Sequence, residues 1–109
     1  MRALVTCGAI LVLLAGDVSA QATPADLVNA VKAHCAKKWD TNYRMQMHCR
    51  NTQLESFGEV MTHLKRASKT EEEIISRCLG KWHEGGDSWN WRMVRHCRDR
   101  QIEAYRKLR

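Results

Sequence analysis

The chain lacks the short signatures that announce chemistry. It has no C-x-x-C pair, which argues against a thioredoxin-like redox role, and no H-x-x-x-H or clustered acidic set to hold a metal. There is no G-x-S-x-G, no phosphate-binding glycine loop and no separated carboxylate pair beside a plausible pocket. Glu71-Glu72-Glu73 is the nearest approach to an acidic site, yet acids in the first turn of a helix complement its macrodipole. His34, His48 and His96 each precede a cysteine, but an oxidised cysteine is no thiolate ligand. These absences point to a chain with no catalytic residues, no cofactor and no metal. A membrane span is missing too: the apolar stretch from Ala3 to Ala15 has thirteen residues, against the roughly 20 needed to cross a bilayer.

That stretch reads instead as part of a signal peptide over residues 1–20. Arg2 supplies a minimal positive start, and Val18-Ser19-Ala20 is a small-residue cleavage site, with a second possible cut after Ala22. The expected location is periplasmic or secreted. Cys7 leaves with the signal, and the mature chain keeps an even four: Cys35, Cys49, Cys78 and Cys97. About 89 residues then form one small domain, 21–109. A domain of that size buries too little apolar surface to be very stable alone, so disulfides are expected to staple it.

What the chain does contain is an internal duplication. Tyr43-Arg44-Met45-Gln46-Met47-His48-Cys49-Arg50-Asn51-Thr52-Gln53-Leu54-Glu55-Ser56-Phe57 aligns without a gap on Trp91-Arg92-Met93-Val94-Arg95-His96-Cys97-Arg98-Asp99-Arg100-Gln101-Ile102-Glu103-Ala104-Tyr105, with seven of fifteen columns identical. Upstream, Cys35 to Trp39 matches Cys78 to Trp82. Two repeats, 24–66 and 70–109, therefore make up the domain. Equivalent cysteines should form equivalent bonds: Cys35–Cys49 with Cys78–Cys97 is the simplest pairing, and Cys35–Cys78 with Cys49–Cys97 also respects the symmetry.

The periodicity is helical throughout. Thr23 caps a first helix that carries Pro24 at its first position and ends near Trp39. A second places Tyr43, Met47, Leu54, Phe57, Met61 and Leu64 on one stripe. Thr70-Glu71-Glu72-Glu73 opens a third as a capping box, through Ile74, Ile75, Cys78, Leu79 and Trp82. After Gly85-Gly86, Asp87 or Ser88 caps a fourth with Trp91, Val94, Ile102, Tyr105 and Leu108 inward. The expected fold is all-α: four helices as two tandem αα-hairpins, each holding one disulfide, packed with pseudo-two-fold symmetry. The Lys-Trp motifs ending at Trp39 and Trp82 should close the hairpins, with the indoles over the disulfides.

Arg50, Gln53, Arg98 and Gln101 fall inside the apolar arcs, where polar groups need partners. They form either a hydrogen-bond network that fixes how the hairpins meet or a cationic groove for an anionic group. Arg44, His48 and Glu55 point outward, as do Arg92, His96 and Glu103. Cleavage after Ala20 leaves seventeen Lys and Arg against eleven acids, a formal +6 concentrated in Arg92, Arg95, Arg98, Arg100, Arg106, Lys107 and Arg109. Such a stripe attracts polyanions or merely keeps the protein soluble. The halves differ most in the second turn, where His83, Glu84, Gly85, Gly86, Asp87, Ser88 and Trp89 combine flexibility, charge and an extra tryptophan; loops on rigid hairpins commonly carry recognition. Candidate binding residues are thus His83, Glu84, Asp87 and Trp89 in this loop, with Arg95, Arg98 and Arg100 on the basic stripe.

The motif Lys-Trp followed by Tyr-Arg-Met-x-x-His-Cys-Arg-x-x-Gln resembles a pattern in small exported proteobacterial proteins, and the resemblance covers most of the mature chain. It implies no particular activity. More loosely, the cysteine-stapled helical hairpin is similar to the LprI-like lysozyme-inhibitor family, although that family's Met-Asn-x-Cys and Leu-Asn-x-x-Tyr are absent here. This likeness implies a stable envelope protein that binds another macromolecule. The leading expectation is a non-enzymatic partner of an envelope or secreted protein, inhibitor- or immunity-like. Binding of an anionic envelope polymer such as lipopolysaccharide is second, and a small enzyme or metal carrier third. Nucleic acid is not an expected ligand of an exported chain.

Overall fold

The computed structural model describes residues 22–109; the expected signal peptide lies outside them. Four helices follow in order: α1 (Pro24–Trp39), α2 (Tyr43–Leu64), α3 (Lys69–Lys81) and α4 (Trp91–Leu108). Every start is capped. Thr23 and Ser68 each accept the backbone N–H three residues on and receive an acid back, Asp26 and Glu71 respectively. Asn42 and Asn90 accept from Met45 and Met93 with nearly the same backbone angles, φ −87° and ψ 83° against φ −85° and ψ 88°.

Two caps differ from the sequence expectation. The third helix opens at Ser68, not Thr70, because Ser68 already places Glu71 where it can return a hydrogen bond. The fourth is capped by Asn90, not Asp87 or Ser88. Gly85 and Gly86, at φ 98° and 53°, fold the chain back so that Glu84 N–H reaches the Ser88 carbonyl and His83 bridges Trp89. The chain is free to start a helix only after that loop has closed.

Both disulfides take the local pairing. Cys35–Cys49 joins α1 to α2 and Cys78–Cys97 joins α3 to α4, each across a Cα separation of 5.7 Å. Disulfides of this kind belong in an oxidising compartment. The repeat extends to the hairpin ends: Lys38 and Lys81 hold their ammonium groups 5.8 and 5.7 Å from the Trp39 and Trp82 ring centres. Both indoles are half-buried.

The helices neighbour one another in the order α1, α2, α4, α3, with only a brief meeting of α3 and α2. α2 and α4 run parallel, because their contacts advance together: Gln53 bonds Asn90 and Trp91, whereas Glu59 bonds Arg95 and Arg98. This corrects the pseudo-two-fold. A two-fold would make the Gln53–Trp91 contact recur between their repeat-mates, Gln101 and Tyr43, yet Gln101 is exposed and Tyr43 is 73% exposed. The hairpins are related by a slide along the helix direction, which puts the second half of α2 against the first half of α4.

The core follows from that slide. Val31, Cys35, Val60, Ile75, Cys78, Trp91 and Val94 form one buried cluster, with Phe57, Met61, Leu64 and Trp89 packed around it. Ile102 is buried as well. Tyr43 and Met47, expected inside, stand out in solvent because α4 does not reach the first half of α2, and Leu108 is exposed at the other end for the same reason.

At the joint between the hairpins, Glu71 lies 3.0 Å from the His63 ring nitrogen and 3.9 Å from Arg106. The hydrogen bond to His63 holds the Glu71 carboxyl below its ordinary value of 4.5, against a smaller opposing push from partial burial. A lowered folded pKa stabilises the fold above the ordinary value, and this contribution disappears as pH falls through the lowered one. Thermal melts of Glu71→Gln should therefore be less sensitive to acid below pH 4.5 than those of the parent. Equal sensitivity would remove Glu71 from the acid response.

Candidate functional site

A groove of about 930 Å³ runs along the seam between α2 and α4. It exists because the two helices run parallel and meet through Gln53, Phe57 and Val60, leaving their outward edges apart. Its floor includes Arg98 and Ile102. Arg98 is buried to 8% exposure, and its guanidinium donates to the Glu59 carbonyl at 3.2 Å and to Asp99 at 2.6 and 2.9 Å. A buried cation stays only where it is paired, and this one spans both helices.

The walls carry both signs of charge. Glu55, Glu59, Asp99 and Glu103 face Arg66, Arg98, Arg106 and Lys107, four acids against four bases. His63 and Thr62 add neutral or titratable hydrogen-bonding groups at the α3 end. A surface of this composition can satisfy a partner's mixed charges and backbone groups. It offers little net field to a uniformly anionic polymer.

Gly58 lines the α2 wall. A Cβ there would meet nothing within 4 Å, so packing does not demand glycine, although a mid-helix glycine costs about 1 kcal/mol relative to alanine. Gly80 in α3 is equally unconstrained and lies outside the groove lining.

The residues singled out from sequence are not gathered into one place. His83, Glu84 and Asp87 are exposed in the α3–α4 loop, where His83 Nε2 is bonded to the Gly86 carbonyl at 2.9 Å. Trp89 turns the other way. Its Nε1 donates to the Leu79 carbonyl at 2.9 Å and its ring lies 5.6 Å from that of Trp91, so the extra tryptophan closes the hairpin against the core. Arg95 pairs with Glu59 at 2.8 Å beside the groove, Arg98 forms its floor, and Arg100 is exposed outside it. The network expected of the inward polar residues forms through Gln53 and Arg98 alone; Arg50 and Gln101 are exposed, again because of the slide.

Sequence reasoning missed Glu59, Gly58 and the groove. Glu59 lies beyond the aligned repeat columns, so nothing marked it, although a buried Arg98 required an acceptor from somewhere. The basic stripe is also less free than composition suggests. Arg95, Arg98, Arg106 and Lys107 each have a carboxylate within 4 Å.

Among the described residues no three His, Cys, Asp or Glu side chains gather as a metal set, and no helix is long and apolar enough to cross a membrane. In comparisons with protein families, curated proteins and solved structures, the chain matches none.

Proposed function

We propose that this chain is a non-enzymatic binding protein of the bacterial envelope or exterior, and that it takes a protein partner, in the manner of an inhibitor or immunity factor, along the α2–α4 groove. The observation that carries the reading is the charge-balanced groove on disulfide-stapled helices, left open at Gly58. Rigid walls lower the ordering cost of association, and alternating charges supply specificity. Anionic envelope polymer is the weaker reading, because four of the seven cations near the chain end already have acidic neighbours. The signal-peptide pattern supplies the route to the envelope, and the disulfides suit that compartment.

The glycines provide the test. Gly58→Ala and Gly80→Ala should each raise stability by about 1 kcal/mol, read from denaturant melts, since both positions are open and helical. Gly58→Arg should then abolish capture of a partner from envelope extract, whereas the matching Gly80→Arg should not. Capture that survives high salt in the parent and in both arginine variants would move the site to the His83–Asp87 loop. Release of glycolipid at moderate salt, with no discrete protein, would replace the reading by polyanion binding.

A further inference from the structure

The same slide that pairs the hairpins leaves one surface unmatched at each end, and the duplication says what each surface fits. Inside the chain, the second half of α2 receives the first half of α4. Gln53 accepts the Trp91 N–H at 2.7 Å and donates to Asn90, Phe57 meets Trp91 edge-to-face at 4.9 Å, and Val60 is fully buried. The repeat-mate of the receiving surface is the second half of α4, where Gln101, Tyr105 and Leu108 stand in place of Gln53, Phe57 and Val60. The repeat-mate of the entering surface is the first half of α2, where Asn42, Tyr43 and Arg50 stand in place of Asn90, Trp91 and Arg98.

Neither meets its repeat-mate's kind of partner within the described chain; on the receiving surface the Arg109 guanidinium lies 5.3 Å from the Tyr105 ring centre. Tyr43 is 73% exposed, Met47 63% and Leu108 86%, and these three are the large exposed hydrophobic residues among the described ones. All three lie on the two unmatched surfaces. Asn42 already holds the backbone angles of Asn90, so the element that Gln101 would engage is preformed.

We infer that a second copy of this chain docks head-to-tail, the end of α4 in one copy receiving the start of α2 in the next, by repeating the contact that joins the two hairpins. Tyr105 then meets Tyr43 as Phe57 meets Trp91, and Gln101 reaches Asn42 and the Tyr43 N–H. The contact is heterologous, so it propagates from copy to copy unless the rotation closes a ring. It is also weaker than its intrachain original. Gln46 replaces Val94, and Lys107 replaces Glu59 opposite Arg50, which sets two cations together where the chain has an ion pair.

That mismatch supplies a test with two directions. Sedimentation equilibrium of the oxidised protein should show a mean mass that rises with concentration. Tyr43→Asp and Leu108→Lys should each weaken association roughly tenfold or more, as loss of a central anchor does. Both positions are exposed, and each new charge suits its end of the helix, so folding is expected to persist by circular dichroism. Mixed one to one, the two variants should form dimers and stop there, since each retains one intact surface. Lys107→Glu, which recreates the Glu59–Arg98 arrangement opposite Arg50, should tighten association roughly tenfold. A monomer at every concentration overturns the inference. So does sensitivity to Tyr43→Asp without sensitivity to Leu108→Lys, which marks a symmetric face-to-face dimer, and so does a mixture that remains monomeric.

Discussion

Trp91→Ala is expected to cost about 3–5 kcal/mol, the range for truncating a fully buried aromatic, and to separate the two hairpins as it unfolds them. Trp91 is 1% exposed and touches Phe57 of one hairpin and Trp89 of its own loop, so it ties the two hairpins together. A small domain has roughly 5–15 kcal/mol of stability in total, and a loss on this scale should lower the melting temperature by well over 10 °C. Trp91→Phe should be much milder. The indole Nε1 is buried with no hydrogen-bond partner among the described residues, so phenylalanine removes an unsatisfied donor while keeping most of the ring contact. Denaturant melts of the two variants that coincide would mean the indole's extra volume, rather than aromatic contact with Phe57, carries the interaction.

Removal of the disulfides is the second large effect, and the two should fail differently. Each closes a loop of similar length, with sequence separations of 14 and 19, so each contributes about 3 kcal/mol in the chain-entropy model. α1 packs on α2 alone, however, so Cys35→Ala with Cys49→Ala should release α1 while α2, α3 and α4 stay assembled. Hydrogen exchange should lose protection over Pro24–Trp39 and keep it at Val60 and Val94. Cys78→Ala with Cys97→Ala should act globally, because α4 packs on both α2 and α3, so loosening it opens both of the remaining seams. Uniform loss of protection in both double variants would show that α1 and the rest unfold as one unit.

The helices and both disulfides were legible in the sequence for physical reasons. Apolar spacing marks each helix, and the duplication left two symmetric pairings, of which the simpler, local one forms. How the hairpins meet was not legible from the repeated residues, because a two-fold and a slide use the same identical columns. Positions that differ make the choice. Glu59 against Lys107, Val94 against Gln46 and Trp91 against Tyr43 favour one contact and leave its counterpart open. The groove inherits this: it is a product of the slide, and no single motif records it. The α3–α4 loop shows the reverse, since Trp89 stood out by composition and proved to be packing against Trp91.

The order of the cysteines along the chain bears on how the molecule is made. Cys35 bonds Cys49 and Cys78 bonds Cys97, so the native partner of each is its nearest neighbour among the four described cysteines. A chain oxidised from its N-terminal side as it emerges meets the correct thiol first on both occasions. Loops this short close in far less time than a residue takes to be added, so the Cys35 and Cys49 thiols meet repeatedly before Cys78 emerges to compete. Oxidative folding then needs a donor of disulfides and little correction by shuffling.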